Sequence, residues 1–220
     1  MDYLLDPAEI RVLGALIEKQ IATPDYYPLT FNSLLVACNQ KTARNPVTDY
    51  GEKEITEALE GLREKGFAVQ INMAGSRVEK YRHRMDTFAD FDEKEIAILC
   101  VLMLRGAQTI GELRQRTERL YAFKDLTETE ETLKGLMERA DPEPLVAELP
   151  KDPGRKEKRY VHLFSDIPAS SSEHETITLP KASPSQVQEK LQALESVVEE
   201  LREEMGVLKE QFESFKKQFD

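Results

Sequence analysis

Apolar residues recur at helical spacing in two stretches far apart in the chain, LDPAEIRVLGALIEK (5–19) and FDEKEIAILCVLMLR (91–105). In the first, Ile10, Leu13 and Ile17 form one buried stripe, and Ile10 and Leu13 match Ile96 and Leu99 of the second. Each stretch opens with Asp followed three residues later by Glu, Asp6 with Glu9 and Asp92 with Glu95. That spacing predicts a capping box, in which each side chain satisfies a backbone N–H left free at the helix start. Pro7 falls at the first helical position, where its missing N–H costs nothing.

The correspondence continues downstream. LTFNSLLVA (29–37) matches QTIGELRQR (108–116), each led by a Thr cap and with Leu34 opposite Leu113. EITEALEGLREKGFAVQI (54–71) matches EETLKGLMERADPEPLVAEL (130–149), pairing Leu59 with Leu133 and Leu62 with Leu136. Alternating strands then turn at Ala74-Gly75-Ser76 and Asp152-Pro153-Gly154, and return so that Tyr81 and His83 match Tyr160 and His162. Three helices and a two-stranded hairpin, about 70–85 residues per copy, follow the winged helix-turn-helix plan. The expected fold is mainly α with small β wings: two tandem winged helix-turn-helix domains, residues 1–88 and 89–165. A single mixed helical domain with accidental internal similarity is the alternative.

Beyond residue 165 the pattern changes. Residues 166–185, rich in Ser and Pro, read as a linker. From 186 to 220, Val187, Leu191, Leu194, Val198, Leu201, Met205, Leu208, Phe212, Phe215 and Phe219 alternate steps of four and three. A sustained seven-residue repeat specifies a left-handed coiled coil. Leu191, Leu194, Val198, Leu201, Met205 and Leu208 are its candidate self-association seam, and a homodimer through this helix is expected. A lone amphipathic helix folded back on the rest of the chain is the alternative.

With these residues in place, the sequence resembles the YceH family of bacterial proteins. TPDYYPLTFNSLLVACNQKTARNPV is similar to that family's most distinctive segment, and DPAEIRVLGALIEK and RYVHLF to its flanking signatures. The resemblance spans roughly residues 4–165 and implies a tandem winged-helix architecture. It brings no established activity, so it assigns no catalytic or binding residue.

Charge narrows the choice of partners. The 220 residues carry a net charge of −11, which argues against broad phosphate binding, because that depends on Lys and Arg displacing counterions. Any nucleic-acid surface must be local. Two cysteines without metal-ligand spacing support neither a disulfide framework nor a zinc site. The longest apolar run, IAILCVLML (96–104), is far shorter than the ~18 residues of a membrane span. No signal peptide is visible, so a cytoplasmic protein without membrane association is expected.

Candidate chemistry follows. The third helices of the two copies are rich in Glu, which disfavours insertion into a phosphate-lined groove. Positive charge gathers on the wings instead, at Arg77, Lys80, Arg82 and Arg84 in the first and at Arg155, Lys156 and Lys158 in the second. Strand alternation sets Lys80, Arg82 and Arg84 on one face and Tyr81 and His83 on the other. Gln40, Lys41 and Arg44, in a connection longer than the usual helix-turn-helix turn, extend this rim as contacts for DNA or a partner, or else form a solvated loop. No glycine-rich phosphate loop, metal cluster or nucleophile motif is present, so neither enzyme activity nor a cofactor is expected. A DNA-associated regulator using basic wings is the leading expectation, and a protein–protein adaptor the alternative.

The tail supplies the first test. Burying each of its apolar positions is worth roughly 1.5–3 kcal/mol, so the seam's natural partner is another copy. Removal of residues 184–220, or Leu194→Asp with Leu201→Asp, is expected to leave a folded, mostly monomeric protein. Sedimentation of the full-length chain as a monomer at tens of micromolar would contradict this.

Overall fold

The computed structural model describes residues 4–72, 78–141, 143–150 and 157–165. It divides the chain into two compact units, Met1–Pro168 and Ala169–Asp220. The second unit, with the heptad positions from Leu191 to Leu208, lies outside the described residues. So do the two hairpin turns at 74–76 and 152–154.

The first unit is helix-rich with small antiparallel sheets. Helix α1 spans Pro7–Ala22, and α5 spans Glu93–Arg105. Both begin with the expected capping box. Asp6 Oδ1 accepts from the Glu9 amide at 2.8 Å while Glu9 Oε2 accepts from the Asp6 amide at 2.8 Å. Asp92 and Glu95 repeat the exchange at 2.8 and 3.2 Å. Helices α2 (Phe31–Cys38) and α6 (Ile110–Arg116) are capped by Thr30 and Thr109. Helices α3 (Glu52–Glu64) and α7 (Leu126–Met137) complete the two sets of three. A short helix, α4 (Met85–Phe88), joins the first set to the second.

Strands β1 (Leu29–Thr30), β2 (Ala68–Ile71) and β3 (Lys80–His83) form one sheet in the order β1-β3-β2. Strands β4 (Val146–Glu148) and β5 (Tyr160–His162) form the other. The registers coincide. Leu29 pairs with Tyr81, and its counterpart Gln108 bridges to Tyr160. His83 lies opposite Ala68, and His162 opposite Val146. The Phe67 carbonyl accepts from the Arg84 amide, and the Leu145 carbonyl from the Leu163 amide, both at 2.8 Å.

One hydrophobic core runs through both sets of elements. Residues 9–17 of α1 and 97–104 of α5 are buried on every side, not only along the Ile10–Leu13–Ile17 stripe. A helix buried all round needs neighbours on each face. Helices α2, α3 and α5 all pack against α1. Where α1 and α5 meet, the Cys100 thiol donates to the Gly14 carbonyl at 3.5 Å. Gly14 and Cys100 hold the same position in the two copies, so the repeats touch through equivalent residues, as the halves of an isologous interface do. A Cβ at Gly14 would come within 2.9 Å of Leu104 Cδ2, so glycine permits the close approach.

A second repeated device ties the first helix of each set to the third. Lys65 Nζ pairs with the capping glutamate Glu9 at 2.6 Å and donates to the Leu4 carbonyl at 2.9 Å. Arg139 pairs with Glu95 at 2.8 Å and donates to the Asp90 carbonyl. Each capping glutamate thus closes a helix start and anchors the neighbouring helix. Glu9 is only 2 % exposed, and a Cβ at Gly61 would overlap its Oε1. Gly61→Ala must therefore displace a carboxylate held by Asp6 and Lys65, and is expected to cost about 1–2 kcal/mol. Gly135, in the same repeat slot on α7, faces open space. Gly135→Ala is expected to be neutral or stabilising by up to about 1 kcal/mol, and chemical denaturation of both variants checks the pair.

Candidate interaction surface

The connection from Asn39 to Tyr50 turns Arg44 inward. Arg44 lies in the interior, its side chain fully buried, instead of on a contact rim. Its guanidinium pairs with Glu18 at 2.7 Å and donates to the Ala37 carbonyl at 2.8 Å. Arg11 of α1 reaches the same loop, donating to the carbonyls of Pro46 at 2.6 Å and Cys38 at 3.4 Å. Asn39 and Tyr50 close the loop base by exchanging hydrogen bonds of 2.8 Å each. The Asn45 amide donates to the Leu104 carbonyl of α5 at 2.9 Å. The physical reason is accounting of backbone polar groups: an irregular segment against two buried helices leaves carbonyls that guanidinium donors can satisfy. Gln40 accepts from Lys19 at 3.1 Å and donates to the Thr42 carbonyl at 2.9 Å, while Lys41 is exposed.

On the first hairpin, Lys80, Arg82 and Arg84 are half-buried and alternate with buried Tyr81 and His83. Arg82 lies 3.6 Å from Asp86, and Arg84 shares a shallow cleft with Glu60, Arg63 and Glu64. On the second, Lys158 pairs with Glu148 across the hairpin at 2.9 Å, and Arg159 with Glu112 at 3.0 Å. Arg77, Arg155 and Lys156 lie outside the described residues. The outer face of α3 exposes Glu52, Glu54, Glu57, Glu60 and Glu64 beside Lys53 and Arg63, and α7 exposes Glu130 and Glu131 beside Lys134, with Glu138 exposed at its C-cap.

Sequence reasoning did not find a cleft of about 440 Å³ where the two sets of helices join. The end of α1 supplies Gln20 and Ile21, the β3–α4 segment His83, Met85 and Asp86, and the start of α5 Phe91, Asp92, Glu93 and Ile96. Leu120, Ala89 and Asp90 complete it. The repeat of Tyr-x-His drew attention to His83 as a packing residue. The short helix α4 follows it directly.

Both hairpin histidines are buried and each leaves a ring nitrogen without a partner, His83 Nε2 and His162 Nδ1. Burial lowers each from 6.5 to about 4; near His83, Asp86 opposes the shift and Arg82 adds to it. The two cysteines are buried and unpaired. Burial pushes the Cys38 thiol up to about 12 and the Cys100 thiol up as well. Among the described residues no cluster of three or more His, Cys, Asp or Glu converges on a metal position. None of their helices is long and apolar enough to cross a membrane.

Comparison with known proteins places this architecture among relatives. Residues 5–155 match the family described as "Protein of unknown function, DUF480". The chain is 48 % identical to a UPF0502 protein of Geobacter sulfurreducens over the whole of both chains. It is 52 % identical to one from Citrifermentans bemidjiense over 76 % of this chain and 77 % of that one. A UPF0502 protein of Vibrio atlanticus is 45 % identical over 97 % of this chain and 99 % of its own.

The neutral histidines make stability depend on pH. Their folded pKa lies below the unfolded value, so the unfolded chain takes up more protons as pH falls from about 6.5 to about 4. Stability present above pH 6.5 is lost across that window, by roughly 2–3 kcal/mol per ring. Thermal midpoints are expected to fall between those values, and His83→Phe with His162→Phe to flatten the part above pH 5. An unchanged slope in the double variant would contradict the assignment.

Proposed function

The chain belongs to the DUF480 family, and within it we propose a non-enzymatic binding protein of two tandem winged helix-turn-helix domains that recognises a protein partner. The observation that carries this reading is the acidic outer face of α3, echoed on α7. A third helix bearing five exposed glutamates repels a phosphate-lined groove and attracts a basic partner surface. The described wing cations Arg82, Lys158 and Arg159 each face a carboxylate of the chain itself, which lowers their worth as phosphate contacts. Buried neutral histidines and buried thiols held protonated support a binding role over catalysis. The protein acts in the cytoplasm, as a dimer through residues 186–220.

A DNA-associated role is the second reading, favoured by half-buried Lys80 on β3 and Arg84 just after it, neither of them facing a carboxylate in an ion pair among the described residues. It adds Arg77, Arg155 and Lys156 as phosphate contacts. One experiment separates the two. Native isolation of the protein with its partners, with and without nuclease, is expected to retain a protein partner in both arms. Glu57→Lys with Glu60→Lys is expected to release it. Duplex DNA bound at low salt, and lost when Arg77, Lys80 and Arg82 are reversed to Glu, would establish the DNA reading instead.

A further inference from the structure

The outer strands of the two sheets differ. Strand β2 ends the first sheet, because β3 lies between it and β1. Strand β4 holds the matching place beside β5. An open strand edge invites another strand, and proteins guard such edges with charge or proline. The β4 edge is guarded: Glu148 pairs with Lys158, and Pro144 and Pro150 lie close to the strand ends. Strand β2, Ala68-Val69-Gln70-Ile71, contains neither a charge nor a proline.

The register fixes what the β2 edge presents. The Phe67 carbonyl accepts from the Arg84 amide. By alternation, Val69–Arg82 and Ile71–Lys80 are then the hydrogen-bonded pairs of the ladder. The amides and carbonyls of Ala68 and Gln70 therefore point away from β3. Ala68 is only 4 % exposed. Gln70 is half-buried, and among the described residues its outward backbone groups have no partner. Val69 and Ile71, also half-buried, share the opposite face with Lys80 and Arg82.

Charge selects the occupant. A shallow cleft of about 450 Å³ beside this edge is lined by Glu60, Arg63, Glu64 and Arg84. Among the described residues none of the four forms an ion pair. A partner of one sign would satisfy two of them and be repelled by the other two. A second copy brings both signs, as a surface that meets itself across a two-fold axis requires.

We propose that β2 pairs edge to edge with β2 of a second copy, antiparallel about a two-fold axis through Gln70. Each Gln70 amide donates to the Gln70 carbonyl of the other copy. Val69 lies opposite the partner's Ile71, and Ile71 opposite the partner's Val69, so apolar side chains meet on both sides of the axis. The axis passes through Gln70 because the outward groups of Ala68 are buried. This contact is independent of the heptad positions from Val187 to Phe219. It also leaves Glu52, Glu54 and Glu57 of α3 free for a basic partner.

Disulfide trapping in the full-length protein tests both the pairing and its register. The native thiols Cys38 and Cys100 are buried, so introduced cysteines report alone. Facing Cα atoms in a non-hydrogen-bonded antiparallel pair lie about 4.5 Å apart, within disulfide reach. Val69→Cys with Ile71→Cys in one chain is therefore expected to give a covalent dimer under mild oxidation. Either single variant is expected to react at least about tenfold more slowly, because its cysteines lie on a diagonal of about 7–8 Å. Gln70→Cys alone, on the axis at about 5.5 Å, is expected to cross-link as well. Arg63→Glu with Arg84→Glu, which leaves the cleft one sign, is expected to slow trapping of the double variant several-fold. Absence of a covalent dimer in both the double variant and Gln70→Cys would overturn the proposal. Equal trapping in the single and double variants would overturn it too. Cross-links that appear only after removal of residues 184–220 would assign the edge to the tail and overturn it as well.

Discussion

Helices α1 and α5 cross at Gly14, and the rest of the described fold is arranged around that contact. The absence of a side chain there lets Leu104 and Met103 close onto the α1 backbone. The two helices then bury each other's second face, the face that an isolated three-helix unit would leave in water. Burial of aliphatic side chains such as Leu13, Leu16, Leu99 and Leu102 is the dominant favourable term. It explains why residues 9–17 of α1 are enclosed on all sides. The loop at 39–50 follows from the same constraint. It packs across the ends of these helices and is held by Arg11, Arg44 and the Asn45–Leu104 hydrogen bond.

Much of the local structure was legible in the sequence because it depends on neighbours in the chain. The Asp6/Glu9 and Asp92/Glu95 spacings encode capping boxes that need only four residues to form. The Tyr-x-His repeat encodes a register that the pairs Leu29–Tyr81 and Gln108–Tyr160 reproduce. What could not be read is where charge faces when partners are distant in sequence. Arg44 looked like a surface cation because its neighbours are polar, yet its partner Glu18 lies 26 positions away. The pairing of Lys65 with Glu9 was equally hidden, although in hindsight its recurrence as Arg139 with Glu95 was a signal, since each base follows a matched apolar pair at a fixed offset.

The cleft was illegible for a related reason. Its lining comes from α1, the β3–α4 segment, α5 and Leu120, and sequence periodicity says nothing about a gap between elements. The first hairpin continues into α4 and Phe91, and after the second Phe164 is buried with its carbonyl accepting from the Leu5 amide at 2.7 Å.

The central claim is that the two repeats share one core through α1 and α5. Separate expression of residues 1–88 and 89–165, with chemical denaturation followed by circular dichroism, tests it most directly. The account predicts that neither half alone unfolds cooperatively, and that mixing the two restores a single cooperative transition. A native-like cooperative transition in either isolated half would contradict it.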